Sequence, residues 1–307
     1  MSVPPEDRAT ALRRMRRRQA LSCAALLALG PAAAAAQPIV RDDEGRIVRL
    51  AAPARRVVAL SPQLVELCVA AGAASRVVGV VRGPDLPPGM RGLPAVGDAF
   101  GIDLEALAML RPDLILAWRS GTPQRQVAAL QRLGIPVYWS ETRGLRDVAS
   151  TVQRIGELVG TEPVARAWAR SYLRHVHALR LAERGKPAVR VFYQAWPEPL
   201  LTIGAGQLID RAIRLCGGVN IFGDLHAAAP QVSREAVLAR DPQLIVSASP
   251  NPRALDAWRR FGSLSAVRHA RLVSLDPDGL PRMGLQLLDG VRQLCQAIDL
   301  TRQHLGN

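Results

Sequence analysis

The sequence is short of aromatic residues, nearly devoid of lysine and empty of catalytic signatures, and each shortage removes a class of protein. Aromatics make up 4% of the 307 residues, and no basic run occurs beyond the N-terminus. The stacking platforms and electrostatic grooves that hold nucleic acid therefore have no counterpart. The basic residues are nearly all arginine, Lys186 being an exception, and acids are scattered between them. A formal charge of +14, of which residues 1–36 carry +4, thus describes a solvated surface, and no nucleic-acid partner is expected. No glycine-rich phosphate loop, H-E-x-x-H or G-x-S-x-G is present, so an enzyme is not expected, and a secreted α/β enzyme with residues brought together only in space is the less favoured alternative. His175 and His177 are two apart on a helical stretch and face different ways, and His269 and His304 belong to no motif. What is present in quantity is apolar: 49% hydrophobic against 21% charged residues, enough for a substantial core.

Long apolar runs are missing too, apart from one near the start. Arg13, Arg14, Arg16, Arg17 and Arg18 precede an apolar stretch from Ala20 to about Gly30, and Ala34-Ala35-Ala36 then offers an A-x-A cleavage pattern before Gln37. That order is a secretory signal peptide of the Sec type, too short and alanine-rich to be a membrane span. Cys23 lies inside the apolar stretch, which argues against a lipoprotein. The rest is expected to be a soluble periplasmic protein starting near Gln37. Three cysteines then remain, Cys68, Cys216 and Cys295; in an oxidising compartment two of them can pair. Their spacing matches no zinc pattern, and no metal site is expected.

Along the chain, strand and helix signals alternate. A hairpin turning at Asp43-Glu44-Gly45 leads into a strand at Arg56–Leu60, and Ser61-Pro62 opens a helix that runs to Gly72, with Ser as N-cap. Strands are expected at 77–81, 113–117 and 135–139, and helices at 102–110 and 122–133. Residues 163–183 read as one uninterrupted helix, and a second strand-helix series starts at Val189. The two series match. Glu105 stands seven residues before Pro112 and the strand Leu114-Ile115-Leu116, and Glu235 stands seven before Pro242 and Leu244-Ile245-Val246. Gln63-Leu64-Val65-Glu66 and Gln207-Leu208-Ile209-Asp210 open helices that stop at Gly72 and Gly217. The expected fold is α/β, with two similar parallel-sheet lobes joined by one long helix and a ligand cleft between them. The lobes are placed at 37–160 and 188–307, with the connecting helix at 161–187. Glu105 and Glu235 each sit in the first turn of a capped helix. The helix dipole accounts for either one alone; their symmetry suggests a partner with matching positive charges on two sides.

Four stretches give the sequence a resemblance: L-S-P-x-x-x-E-L at 60–67, R-P-D-L-I-L-A-W-R-S-G at 111–121, C-G-G-V-N-I-F at 216–222 and P-Q-V-S-R-E-A-V-L-A-R-D-P at 230–242. Over about residues 55–300 the chain resembles the periplasmic binding proteins with a single rigid inter-lobe helix, in particular the cobalamin binders of vitamin B12 importers. The resemblance implies that Glu105 and Glu235 dock the arginines of a membrane permease and that Cys216 and Cys295 form a disulfide. It places Trp118 against a corrin ring, and Asp278 and Arg282 in a ligand-contacting loop. The wall of the cleft is thinner than in the best-known such binder, with Gly83, Ala99, Ala195, Leu201 and Ala229 at its aromatic positions. Phe100 and Trp196 lie one residue along and are candidates to replace two of them. His226, in the loop with Ala227–Ala229, is a further candidate for contact with the ligand or its metal. The implied carrier is a monomer without a resident cofactor, its cargo a corrinoid; haem, a ferric siderophore or cobinamide are the alternatives.

Overall fold

The central strands Leu114–Trp118 and Leu244–Ser247 carry nearly unbroken apolar runs because the sheets they form are covered on both faces. The computed structural model describes residues 37–83, 86–98 and 101–304; the expected export segment with Cys23, and Ala99 and Phe100 of the cleft wall, lie outside the described residues. A hairpin of β1 (Ile39–Arg41) and β2 (Ile47–Arg49) opens the described chain. Then come β3 (Val57–Ala59), α1 (Pro62–Ala70), β4 (Val77–Val80), α2 (Leu104–Met109), β5 (Leu114–Trp118), α3 (Gln124–Arg132) and β6 (Val137–Ser140). Helices α4 (Leu145–Val159) and α5 (Glu162–Glu183) lead to the second series: β7 (Val189–Tyr193), the small hairpin β8 (Trp196–Pro197) and β9 (Leu200–Leu201), α6 (Leu208–Leu215) and β10 (Gly218–Asn220). It ends with α7 (Arg234–Arg240), β11 (Leu244–Ser247), α8 (Ser265–Arg268), β12 (Leu272–Ser274) and α9 (Leu287–Gln303).

The repeat legible in the sequence is a repeat of topology. One parallel sheet has the order β4-β3-β5-β6 and the other β10-β7-β11-β12, the same order taken from corresponding strands. Alternate residues of each strand face opposite layers. Val57, Ala59, Leu114 and Leu116 join a core shared by both sheets, while Val58, Ile115 and Ala117 join a separate layer under α2. The second sheet behaves alike: Val191, Tyr193, Leu244 and Val246 enter the shared core, and Phe192 and Ile245 an outer one with Trp258.

The floor of the shared core is α5. Its 22 residues span about 33 Å and bury Ala165, Ala169, Tyr172 and Val176, a stripe at helical spacing. Gly156 lets α4 approach it, because an added Cβ there would collide with Ala165. Two expectations shift in detail. The helix expected from Ile102 begins at Leu104, because Asp103 takes the N-cap and accepts from the Ala106 amide at 2.9 Å, while Ile102 bridges to Gly97. Ser61 occupies the N-cap of α1 in extended conformation, yet its hydroxyl makes no cap bond and is buried without a partner; Pro62 at the first helical position removes one of the donors needing satisfaction.

Cys216, at the C-cap of α6, is bonded to Cys295 inside α9, with Cα atoms 4.7 Å apart and a sequence separation of 79. Closing so long a loop contributes about 4 kcal/mol in the chain-entropy model. Cys68 is buried on α1, and burial pushes its thiol up to about 12. Of these three cysteines, none is expected to react with a thiol reagent at pH 8 in the native protein, and one in denaturant without reductant. A count of three would remove the bridge.

Candidate functional site

Parallel strands of both sheets deliver their C-terminal ends to one set of loops, and that edge is where a ligand crevice forms in α/β folds. Pro62 follows β3, Gly83 follows β4, and Trp118 is the last residue of β5, paired with Ser140 of β6. From the second sheet, Trp196 follows β7, His226 follows β10, and the turn Asp276–Gly279 follows β12. Trp118 and Arg282 share a pocket of about 220 Å³ with Pro62, Gln63, Glu66 and Met283. One side of it therefore comes from β5 and α1 and the other from the loop before α9. Gly83 stands beside it, with Pro62 Cγ 3.6 Å from where its Cβ would be.

Trp118 is half-buried, and its position is over-determined. Its carbonyl accepts from the Thr122 amide at 3.0 Å and the Thr122 hydroxyl at 2.7 Å, turning the chain back beneath the ring. Gly121 then lies against the indole, where any Cβ would collide with ring carbon Cε3. The indole N–H is buried and has no acceptor in the protein. A buried donor without a partner costs about 1–3 kcal/mol, so it is a group that a ligand can satisfy.

Across the pocket, Asp278 Oδ1 holds Arg282 Nη2 at 2.7 Å. Arg282 lines the pocket; Asp278 stands behind it and fixes the guanidinium. The structure does not gather the remaining candidates there. Trp196 is 55% exposed on the β8–β9 hairpin, paired with Leu201, and its indole N–H donates to the Glu198 carbonyl at 2.9 Å. His226 is exposed in its loop, outside that pocket, and Ala195 is half-buried at the end of β7. Among the described residues no group of three or more His, Cys, Asp or Glu is placed to hold a metal ion, and no helix is long and apolar enough to cross a membrane.

One residue that sequence reasoning did not assign to the site is central to it. Glu66, on α1, is 8% exposed and accepts from the Leu285 amide at 2.7 Å, 219 residues away. Gly284 makes this approach possible, since a Cβ there would collide with the carboxylate. Asp210, its counterpart on α6, is buried as well but serves its own series, accepting from Gly206 N at 2.9 Å and Arg214 Nε at 3.0 Å. An acidic residue on an otherwise apolar helix face was the available signal. Gly284→Ala is expected to separate Glu66 from Leu285 and lower stability by about 1–3 kcal/mol, read as a lower denaturation midpoint at unchanged m-value. An unchanged midpoint would mean the contact contributes nothing.

Glu105 and Glu235 are both exposed, each at the second position of a short helix. The Ser233 hydroxyl accepts from Ala236 N at 3.1 Å, matching the Asp103 cap of α2. Its own backbone amide, and then the Ser233 hydroxyl, hold the Glu235 carboxyl below its ordinary pKa. The two helices are also tied at their far ends by one device. Arg56 Nε and Nη2 donate to the Leu110 carbonyl at 2.9 and 2.7 Å; Arg190 Nε and Nη2 donate to the Asp241 carbonyl at 3.1 and 2.7 Å. Both exits pass through a left-handed residue before proline, Arg111 at φ 45° and Asp241 at φ 37°. Each glutamate is thus displayed on a helix anchored at both ends.

Comparison with known proteins agrees with this architecture. Residues 57–278 match the periplasmic binding protein family. The vitamin B12-binding protein of Vibrio cholerae is 33% identical over 252 residues, covering 82% of this chain and 91% of the relative. That of Salmonella paratyphi A is 36% identical over 245 residues, covering 80% and 90%. Among solved structures, the periplasmic vitamin B12 binding protein of Vibrio cholerae superposes with a TM-score of 0.74 at 33% identity over 81% of this chain and 98% of that one. A periplasmic haem-binding protein of Pseudomonas aeruginosa gives 0.66 at 26% identity over 80% and 92%. With two like-ordered parallel sheets, one connecting helix and a family match over most of its length, this chain belongs to the periplasmic binding proteins.

Proposed function

We propose that the chain is the periplasmic carrier of a corrinoid of the vitamin B12 type, bound between its two sheets and handed to the permease of an ABC importer. The observation that carries this reading is Trp118: a broad indole face, locked by Gly121 and Thr122, with a buried N–H that has no acceptor in the protein. A flat macrocycle rimmed with amide side chains offers the ring a surface to stack on and the N–H an acceptor. Arg282, held by Asp278, supplies donors on the opposite side. The relatives at 33–36% identity are vitamin B12-binding proteins.

Binding and release need no reaction. Residues 1–36 serve as a Sec-type export signal, and the mature monomer works in the periplasm. Glu105 and Glu235 are the points at which it meets arginines of the permease, one from each sheet. Gly83, Trp196, Leu201 and His226 complete the wall of the cleft around a ligand larger than the pocket at Trp118.

A visible-absorption titration of the purified protein with cobalamin, cobinamide and haem tests the ligand. Cobalamin is expected to bind at one equivalent. Binding of haem with no response to either corrinoid would leave the carrier role and overturn the ligand.

A further inference from the structure

Arg271 is a buried cation, and among the described residues nothing accepts from its Nη1. It precedes β12, is 7% exposed, and its Nη1 is shielded from solvent without a hydrogen-bond partner. Arginine stays protonated at any working pH, so the charge cannot be discharged by losing a proton. A guanidinium nitrogen shielded from water is unfavourable unless an acceptor faces it. Most buried charges in folded proteins are paired for this reason.

Arg271 opens onto a groove of about 530 Å³ between β12 and α9. Val273, Leu275, Ala297 and Leu300 form its apolar wall, and His304 and Gln293 stand at its two ends. Among the described residues no Asp or Glu lines it. Eleven residues of α9 separate Gln293 from His304, so the groove is about 16 Å long. Leu300 is 59% exposed on its rim, an apolar side chain left in water by the protein alone. The groove runs beside the edge strand of the second sheet, apart from the pocket of Trp118 and Arg282. Its size is that of a small-molecule site, and it sets a guanidinium beside a mostly apolar trough edged with neutral polar side chains and histidines.

We propose that the groove between β12 and α9 binds a small amphipathic oxyanion, a carboxylate or phosphate group carried on an apolar body, with Arg271 as its counter-ion. The planar fork of the guanidinium takes two oxygens of either group, and charge-assisted bonds of this kind are the strong ones. The apolar body lies along Val273, Ala297 and Leu300. The site is independent of the corrinoid assignment, because none of its residues belongs to the cleft.

Octanoate, octyl phosphate and 1-octanol serve as probes in calorimetric titrations of the full chain. At least one of the two anions is expected to bind, and the neutral alcohol to bind at least tenfold more weakly. Arg271→Met should cut anion affinity at least tenfold and raise the melting temperature of the unliganded protein. Leu300→Glu, at an exposed position where folding is not in question, should cut it comparably by setting a like charge in the trough. Arg282→Ala, in the cleft, should leave it unchanged. Absence of binding by both anions, equal binding of 1-octanol, or unchanged affinity in Leu300→Glu overturns the proposal, as does loss in Arg282→Ala, which would put the anion in the cleft.

Discussion

Glu105→Arg combined with Glu235→Arg is expected to abolish uptake of the ligand while leaving its affinity within about twofold. Both carboxylates are exposed and outside the pocket of Trp118, so the reversal removes nothing from the ligand. At the permease it exchanges attraction for repulsion at two points. Like charges brought together at an interface cost several kcal/mol, and the loss of steering slows encounter as well. Each single reversal should leave measurable transport, because one anchored helix still engages. The helices themselves should survive, since their caps are Asp103 and Ser233 and their exits are held by Arg56 and Arg190. Uptake by cells and affinity of the purified protein are the two measurements. A fall in affinity parallel to the fall in uptake would move the glutamates from the docking face into the cleft.

Trp118→Ala is expected to weaken corrinoid binding by ~2 kcal/mol or more, roughly thirtyfold, the largest effect of any single truncation in the cleft. The resemblance implies few aromatics in the wall, so this indole is expected to carry a larger share of the stacking surface than it would in a cleft ringed with aromatics. Gly121→Ala should reproduce much of the loss without touching the ring, because its Cβ would occupy the space of Cε3. The pair is informative together. If Trp118→Ala binds cobalamin as tightly as the parent, the indole is a core residue and the ligand lies elsewhere. If Gly121→Ala is neutral while Trp118→Ala is not, the indole can stack from a displaced position.

The sequence was most legible where it repeats itself. Matching Glu-to-Pro spacings before two apolar strands announced corresponding halves, and the sheets do share one strand order. The disulfide of Cys216 and Cys295 came only through the resemblance, since three cysteines allow three pairings. The long helix 162–183 could be read because nothing in it breaks helical periodicity. Boundaries were less legible: caps decide them, and the Asp103 side chain outweighed the apolar Ile102. Least legible were contacts made across the fold. Nothing local tells Glu66 from Asp210, both acids on apolar helix faces, yet one grips Leu285 and the other its own turn. Arg271 looked like any other scattered arginine until its burial set it apart.

The shared core has a kinetic corollary. One apolar layer runs beneath both sheets and along α5, so parting the sheets means breaking a packed interior and not bending a loop. The empty carrier and the loaded one are then expected to hold α2 and α7 at the same separation. A permease that gripped the carrier at those two helices alone would find empty molecules as good a fit as full ones. Empty carriers in excess should act as competitive inhibitors of import, and preference for the loaded form must come from the cargo, through whatever it adds at the mouth of the cleft.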